Sequence, residues 1–265
     1  LSACLYLKDA NAQANNEYGV WAGVSQYLGD MNPIYTFNGA RFGSGVFFRY
    51  NFSDRMALRA GINYGMISGD DSKAKNYPYL LARNLSFSSQ ILEFESVYEI
   101  NFFRYVPGQT KKHNFTPFFY AGGSIFYYNP YTKYDDNKYR LQEVGTEGQK
   151  DDEYEGKRYG SYTFAIPFGG GFKFNLNQNW SINIVASSRK TFSDFIDDVS
   201  GVYPDASEVN YYLEGQDIGD FLYDRSTTSL GIPGKQRGTS KDVDRFLFYG
   251  VGITYTVFQS KCPKF

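Results

Sequence analysis

The sequence predicts an all-β fold: an eight-stranded antiparallel up-and-down transmembrane β-barrel with short periplasmic turns and long extracellular loops. Three observations predict it. Eight segments alternate apolar and polar residues over spans near the roughly 9 to 11 residues with which a tilted strand crosses a bilayer. The connections between them alternate between short and long. Charged residues of both signs sit mid-strand opposite the apolar face, the reverse of a water-soluble barrel.

Composition agrees. The chain has 265 residues with 25 Tyr, 24 Phe and 27 Gly, a makeup that favours strands and penalises helices. No run approaches the roughly 18 apolar residues of a membrane-spanning helix, a test to which barrel strands are blind. A formal net charge of −1 gives no electrostatic reason to expect nucleic acid.

The strands follow in order. The first covers 17–28 (EYGVWAGVSQYL), the second 41–52 (RFGSGVFFRYNF) and the third 56–67 (MALRAGINYGMI). The fourth covers 85–101, the fifth 115–128, the sixth 161–176 and the seventh 180–192. The eighth lies in RFLFYGVGITYTVF, with Tyr249 to Phe258 as the closing strand. Ser53-Asp54-Arg55 and Asn177-Gln178-Asn179 are tight turns with Ser, Asp and Asn chemistry, and 102–114 is a moderate link around Pro107-Gly108. The connections 29–40, 68–84, 129–160 and 193–244 are longer and all fall at the opposite end. Outer-membrane barrels show this asymmetry.

One face of the strands carries Val46, Phe48, Tyr50 and Phe52, then Leu58, Ile62, Leu92, Phe94, Phe164, Phe172 and Ile184. The other carries Arg49, Arg59, Glu93, Glu95, Glu99, Lys173 and Arg189, with Asn63 and Asn183. An eight-stranded barrel is only wide enough for side chains to fill it. These seven charges therefore read as interior ion pairs that plug the barrel, in preference to a conductive or catalytic lumen. Tyr27, Tyr50, Tyr64, Tyr127, Tyr128, Phe192 and Phe246 lie at strand ends and read as interfacial girdles.

No enzyme is expected. The only histidine, His113, stands in a turn with Lys111 and Lys112, away from any strand serine. One His and two Cys do not make a conventional zinc site, and no cofactor or small-molecule substrate is called for. The pairs Asp70-Asp71, Asp135-Asp136, Asp151-Asp152 and Asp197-Asp198 lack calcium-loop spacing and read as solvated surface. Gly169-Gly170-Gly171, mid-strand, reads as close packing or a bend.

Four stretches together resemble the PorG family of outer-membrane barrels: RNLSFSSQILEFESVYEINF, FTPFFYAGGSIFYYNP, RKTFSDFIDDVSGVYPD and QRGTSKDVDRFLFYGVGITYTVF. DDVSGVYPD and QRGTSKDVDR are the most specific of these, and the likeness runs from Glu17 onward. The resemblance implies a non-enzymatic component of the type IX secretion system of Bacteroidota. It implies periplasmic ring partners, a PorK-like lipoprotein and PorN-like subunits, in a machine that exports proteases and gliding adhesins. Asp54, Arg55, Arg104, Lys111, Lys112, His113 and Asn177 are then the candidate partner contacts at the short-turn end. The alternative is an OmpA-like structural or adhesion barrel that binds through its long loops.

Residues 1–16 read as an export-signal remnant or periplasmic segment, 17–258 as the barrel and 259–265 as a periplasmic tail. An even strand number puts both ends on one side. Cys4 and Cys262 then share an oxidising compartment, and three readings stay open. They are a Cys4–Cys262 clasp, a mixed disulfide to a ring partner, and lipidation of Cys4 in its Leu1-Ser2-Ala3-Cys4 context.

Overall fold

The computed structural model describes residues 15–33, 39–148, 159–205, 212–213, 216–217, 222–239 and 243–258. Cys4, Cys262, the Asp151-Asp152 pair, the tail and all but the last two residues of the N-terminal segment lie outside them.

Alternation translates directly into strands because successive side chains point to opposite faces. The barrel strands are β1 (Asn15–Leu28), β2 (Arg41–Asn51), β3 (Met56–Asp70), β4 (Ser86–Asn101) and β5 (Phe115–Tyr127). Between β5 and the next barrel strand lie β6 (Tyr131–Tyr134) and β7 (Asn137–Arg140), a small hairpin bridged to β4 through Ser88 and Tyr131. The barrel continues with β8 (Tyr162–Asn175) and β9 (Trp180–Thr191). Two two-residue strands, β10 (Tyr212–Leu213) and β11 (Gln216–Asp217), pair with each other before β12 (Arg245–Phe258) completes the wall.

Every barrel neighbour is antiparallel, and the sheet closes because β3 pairs with β4 while β1 pairs with both β2 and β12. Closure removes free sheet edges, the condition for crossing hydrocarbon with strands. β1 begins at Asn15, two residues before the alternation predicts, because Asn15 and Asn16 pair with Phe258 and Val257.

The turns carry the chemistry expected of them. The Ser53 hydroxyl accepts the Arg55 N–H at 3.2 Å, and Asn177 Oδ1 accepts the N–H groups of Asn179 and Trp180, both at 2.9 Å. At Gly171 a Cβ would lie 1.8 Å from the Ile184 carbonyl oxygen, so that glycine lets β8 and β9 approach.

The long connections contain helices that sequence periodicity does not reveal. A 3-10 turn spans Asp71–Lys73, α1 spans Pro78–Arg83 and α2 spans Leu141–Val144. They are too short to display a helical period. Pro78 opens α1, where its missing N–H is harmless, and Asn84 ends it in the left-handed region at φ 56°. Among the described residues no helix is long and apolar enough to cross a membrane.

Burial confirms an inside-out molecule. Val46, Ile62, Leu92, Phe94, Phe164 and Ile184 face outward and exposed, whereas Arg49, Arg59, Glu93, Glu99, Lys173 and Arg189 are buried within the barrel. The apolar core lies at the long-loop mouth. There Tyr27, Phe87, Ile91, Phe126, Tyr128, Phe246 and Phe248 from the strand ends meet Met31, Leu141, Tyr159, Ile196 and Val199 from the loops. Tyr27, Tyr128 and Phe246 are therefore core residues and not girdle residues, because a loop cap covers that end. Phe192 and Tyr50 do face outward.

Candidate functional site

Alternation along β2, β3, β4, β8 and β9 aims one charged residue after another into the lumen, and the structure brings all seven predicted charges together. Arg49 Nε lies 2.8 Å from Glu99 Oε2, and Lys173 Nζ lies 2.6 Å from the same oxygen. Arg59 bridges Glu95 at 3.0 Å and Glu99 at 3.3 Å. Arg189 bridges Glu93 at 3.1 Å and Glu95 at 3.0 Å. Aromatic faces complete the packing: Arg59 sits 4.3 Å from the Tyr120 ring centre and Arg189 4.5 Å from that of Phe248.

The eighth member, Glu17 on β1, was not singled out from the sequence. It is wholly buried, and its Oε2 lies 2.6 Å from Arg49 Nη1. Two signals identify it. Glu17 shares strand parity with the inward Trp21 and Ser25, and four predicted cations against three acids leave one positive charge unbalanced in a dry interior. With Glu17 the lumen holds four charges of each sign.

Among the described residues paired charges and aromatic rings fill the lumen. A cavity among Trp21, Arg59, Asn63, Glu95, Asn183 and Phe248 measures about 30 Å³, room for a water or two. Trp21 Nε1 donates to Asn63 Oδ1 at 2.8 Å, and Asn63 Nδ2 donates to Glu93 at 2.9 Å.

The short-turn rim closes the lumen from one side. Tyr105, in the link between β4 and β5, is buried and donates to Asn175 Oδ1, whose amide donates to the carbonyls of Val106 and Gln109. Gly108 sits at φ 85°, and a Cβ there would meet the Phe258 ring at 2.6 Å and the Gln178 carbonyl at 2.7 Å. Among the candidate contact residues, Arg104 pairs with Asp54 and Arg55 donates to the Phe102 carbonyl at 3.0 Å. Lys111, Lys112, His113 and Asn177 are exposed, with His113 in the left-handed region at φ 54°. Asp54, Arg55 and Arg104 are thus tied by ion pairs or hydrogen bonds, and Lys111, Lys112 and His113 form an exposed tip.

The long-loop rim closes the other side with buried ionic ties. Arg83 grips Asp71 through Nε at 2.7 Å and Nη2 at 2.9 Å, and also donates to the carbonyls of Arg237 and Asp30. Arg237 pairs with Glu147 and donates to the Asp198 carbonyl at 2.7 Å. Burial pushes the Glu147 carboxyl up to about 7, against the pull of Arg237. Segment 194–200 enters the mouth, with Ile196, Asp197, Asp198 and Val199 all buried. The reading of Asp197-Asp198 as solvated surface is thus wrong, because the Asp198 carboxylate accepts from Thr146 and from Tyr159 at 2.6 Å. Asp71 is likewise buried, whereas Asp135 and Asp136 are solvent-exposed as expected. Among the described residues no group of three His, Cys, Asp or Glu is placed to hold a metal ion.

A closed wall, apolar outside and ion-paired within, defines a small outer-membrane β-barrel. The chain belongs to the family described as a domain of unknown function (DUF6089), whose sequence model matches residues 1–217. No curated protein matches the sequence. Similar solved structures include Ail, the attachment invasion locus protein of Yersinia pestis, in complex with the heparin analogue sucrose octasulfate. It is 8% identical at a TM-score of 0.44, covering 92% of this chain and 99% of that one. They also include Neisserial surface protein A (NspA), 9% identical at a TM-score of 0.42, covering 91% and 96%.

Proposed function

We propose that the chain is a non-enzymatic, structural outer-membrane component of the type IX protein secretion system, its short-turn rim anchoring a periplasmic ring of PorK-like and PorN-like subunits. The observation that carries this reading is the division of labour along the barrel axis. Among the described residues the lumen is filled by paired charges, while the short-turn rim presents exposed Lys111, Lys112 and His113 on a base ordered by Tyr105, Asn175, Asp54 and Arg104. A filled barrel is a poor pore and a good anchor. The four stretches that resemble the PorG family support the choice of system, and both termini then face the periplasm.

Deleting the gene is expected to abolish export of substrates carrying the C-terminal secretion signal. A photo-crosslinker at Gln109 is expected to capture ring subunits in intact cells, and Lys111→Glu with Lys112→Glu to lower that capture several-fold. Unchanged export after deletion would overturn the reading.

A second reading, adhesion through the outer loops, is favoured by one observation. The cap exposes Tyr79, Leu81, Val202 and Ile232 although its interior is packed. Val202→Glu with Ile232→Glu would abolish partner binding under this reading and leave secretion intact under the first.

A further inference from the structure

The mouth contains a proton count that does not close without an additional proton. The Tyr27 hydroxyl contacts two carboxylates, Asp197 Oδ2 and, at 2.8 Å, Asp244 Oδ1. The remaining oxygens are occupied by backbone donors: Val199 N–H to Asp197 Oδ1 at 2.9 Å and Ile196 N–H to Asp244 Oδ2 at 3.0 Å. A phenol has one proton to donate. Both short contacts are hydrogen bonds only if one of the carboxyls carries a proton.

Among the described residues neither Asp197 nor Asp244 forms a salt bridge, and both are fully buried or nearly so. Facing them are Tyr27 from β1, Asp30 after it, Arg83 from α1, Tyr128 after β5, and Asp194 and Asp198 from the inserted segment. Arg83, the one cation of that set, is bound to Asp71. The other facing groups are acids or phenols.

We propose that segment 194–200 is a proton-latched lid, held in the barrel mouth by a proton shared across Asp197, Tyr27 and Asp244 and released when that proton is lost. Asp197 lies within the inserted segment, and Asp244 immediately precedes β12. Losing the proton places two negative charges on one phenol in a dry site, and expulsion of the segment is the available relief. Burial, then mutual repulsion, holds the Asp197 carboxyl well above the usual carboxylate range, and burial first does the same for Asp244. The closed lid binds the proton more tightly than an open one. Closure is therefore favoured at low pH, and the advantage is lost as pH rises through the closed-state value. The ion pairs deeper in the barrel do not depend on this latch, so opening exposes the segment without creating a pore.

The test uses the full chain in lipid bilayers. Hydrogen exchange of 194–200, corrected for the intrinsic pH dependence, is followed between pH 6 and 10, with planar-bilayer conductance measured alongside. The wild type is expected to lose at least tenfold in protection as pH rises, with conductance unchanged. Asp244→Asn is expected to keep the lid protected throughout, because an amide is neutral at every pH. Tyr27→Phe is expected to open at a lower pH, and it serves if Asp244→Asn does not fold. Flat protection in the wild type would overturn the proposal. So would a transition that persists in Asp244→Asn but vanishes in Glu147→Gln, which would assign it to the Glu147–Arg237 pair.

Discussion

At the scale of the residue, Glu99 is the centre of the lumen. It alone touches three cations, Arg49, Arg59 and Lys173. Removing one partner of a buried pair costs about 3–5 kcal/mol, because the charge left behind has no solvent. Glu99→Ala is therefore expected to lower barrel stability by at least that amount, read as urea unfolding in detergent micelles. A drop below about 1 kcal/mol would mean that water reaches the network, as at an exposed pair. The seven predicted charges were legible because parity along a strand assigns each to a face. Glu17 was legible only by joining its parity with Trp21 and Ser25 to the charge balance, since a lone acid near the start of a strand has no charged neighbour in sequence to flag it.

At the scale of the element, the strands were readable and the loops were not. Six of the eight predicted starts fall within one residue of the observed strand starts, the exceptions being β1, which begins two residues earlier, and β12, which begins at Arg245, four residues before Tyr249. Strand periodicity is local and enforced by lipid on one side and packing on the other. Loop structure depends on partners far away in sequence: Arg83 joins Asp71, Asp30 and Arg237, and Tyr79 donates to the Gln236 carbonyl. No spacing rule reaches across such separations. DDVSGVYPD and QRGTSKDVDR show the consequence, for their charges look solvated in sequence, yet Asp197, Asp198, Arg237 and Asp244 are interior parts of the cap. Arg83→Ala is expected to raise proteolysis of 71–85 and 193–205 at least tenfold. The wall should still resist unfolding on an unboiled gel, because the barrel strands do not use Arg83. Equal loss of both would show that cap and wall fold as one unit.

At the scale of the whole molecule, the exposed apolar wall demands lipid. Ile62 lies mid-strand on that wall, 51% exposed without a bilayer. Ile62→Arg is expected to destabilise the membrane-inserted barrel by about 2–4 kcal/mol, the depth-dependent cost of a charge near the midplane. In a water-soluble barrel the same change would be neutral. Reconstituted protein is also expected to give no steady conductance, since paired charges pack the lumen around a cavity of about 30 Å³. A stable open level would contradict the filled interior.

The balanced lumen has a consequence for how the protein is made. Its eight charges come from six strands: Glu17 from β1, Arg49 from β2, Arg59 from β3, the three glutamates from β4, Lys173 from β8 and Arg189 from β9. A half-built sheet of β1 to β4 would bring six of the eight interior charges into hydrocarbon beside one another, two arginines against four glutamates, with a net charge of −2. Strand-by-strand entry into the bilayer is therefore energetically barred. The seam between Asn15 and Phe258 must form while the interior is still sheltered from lipid, so assembly commits only when the last strand arrives.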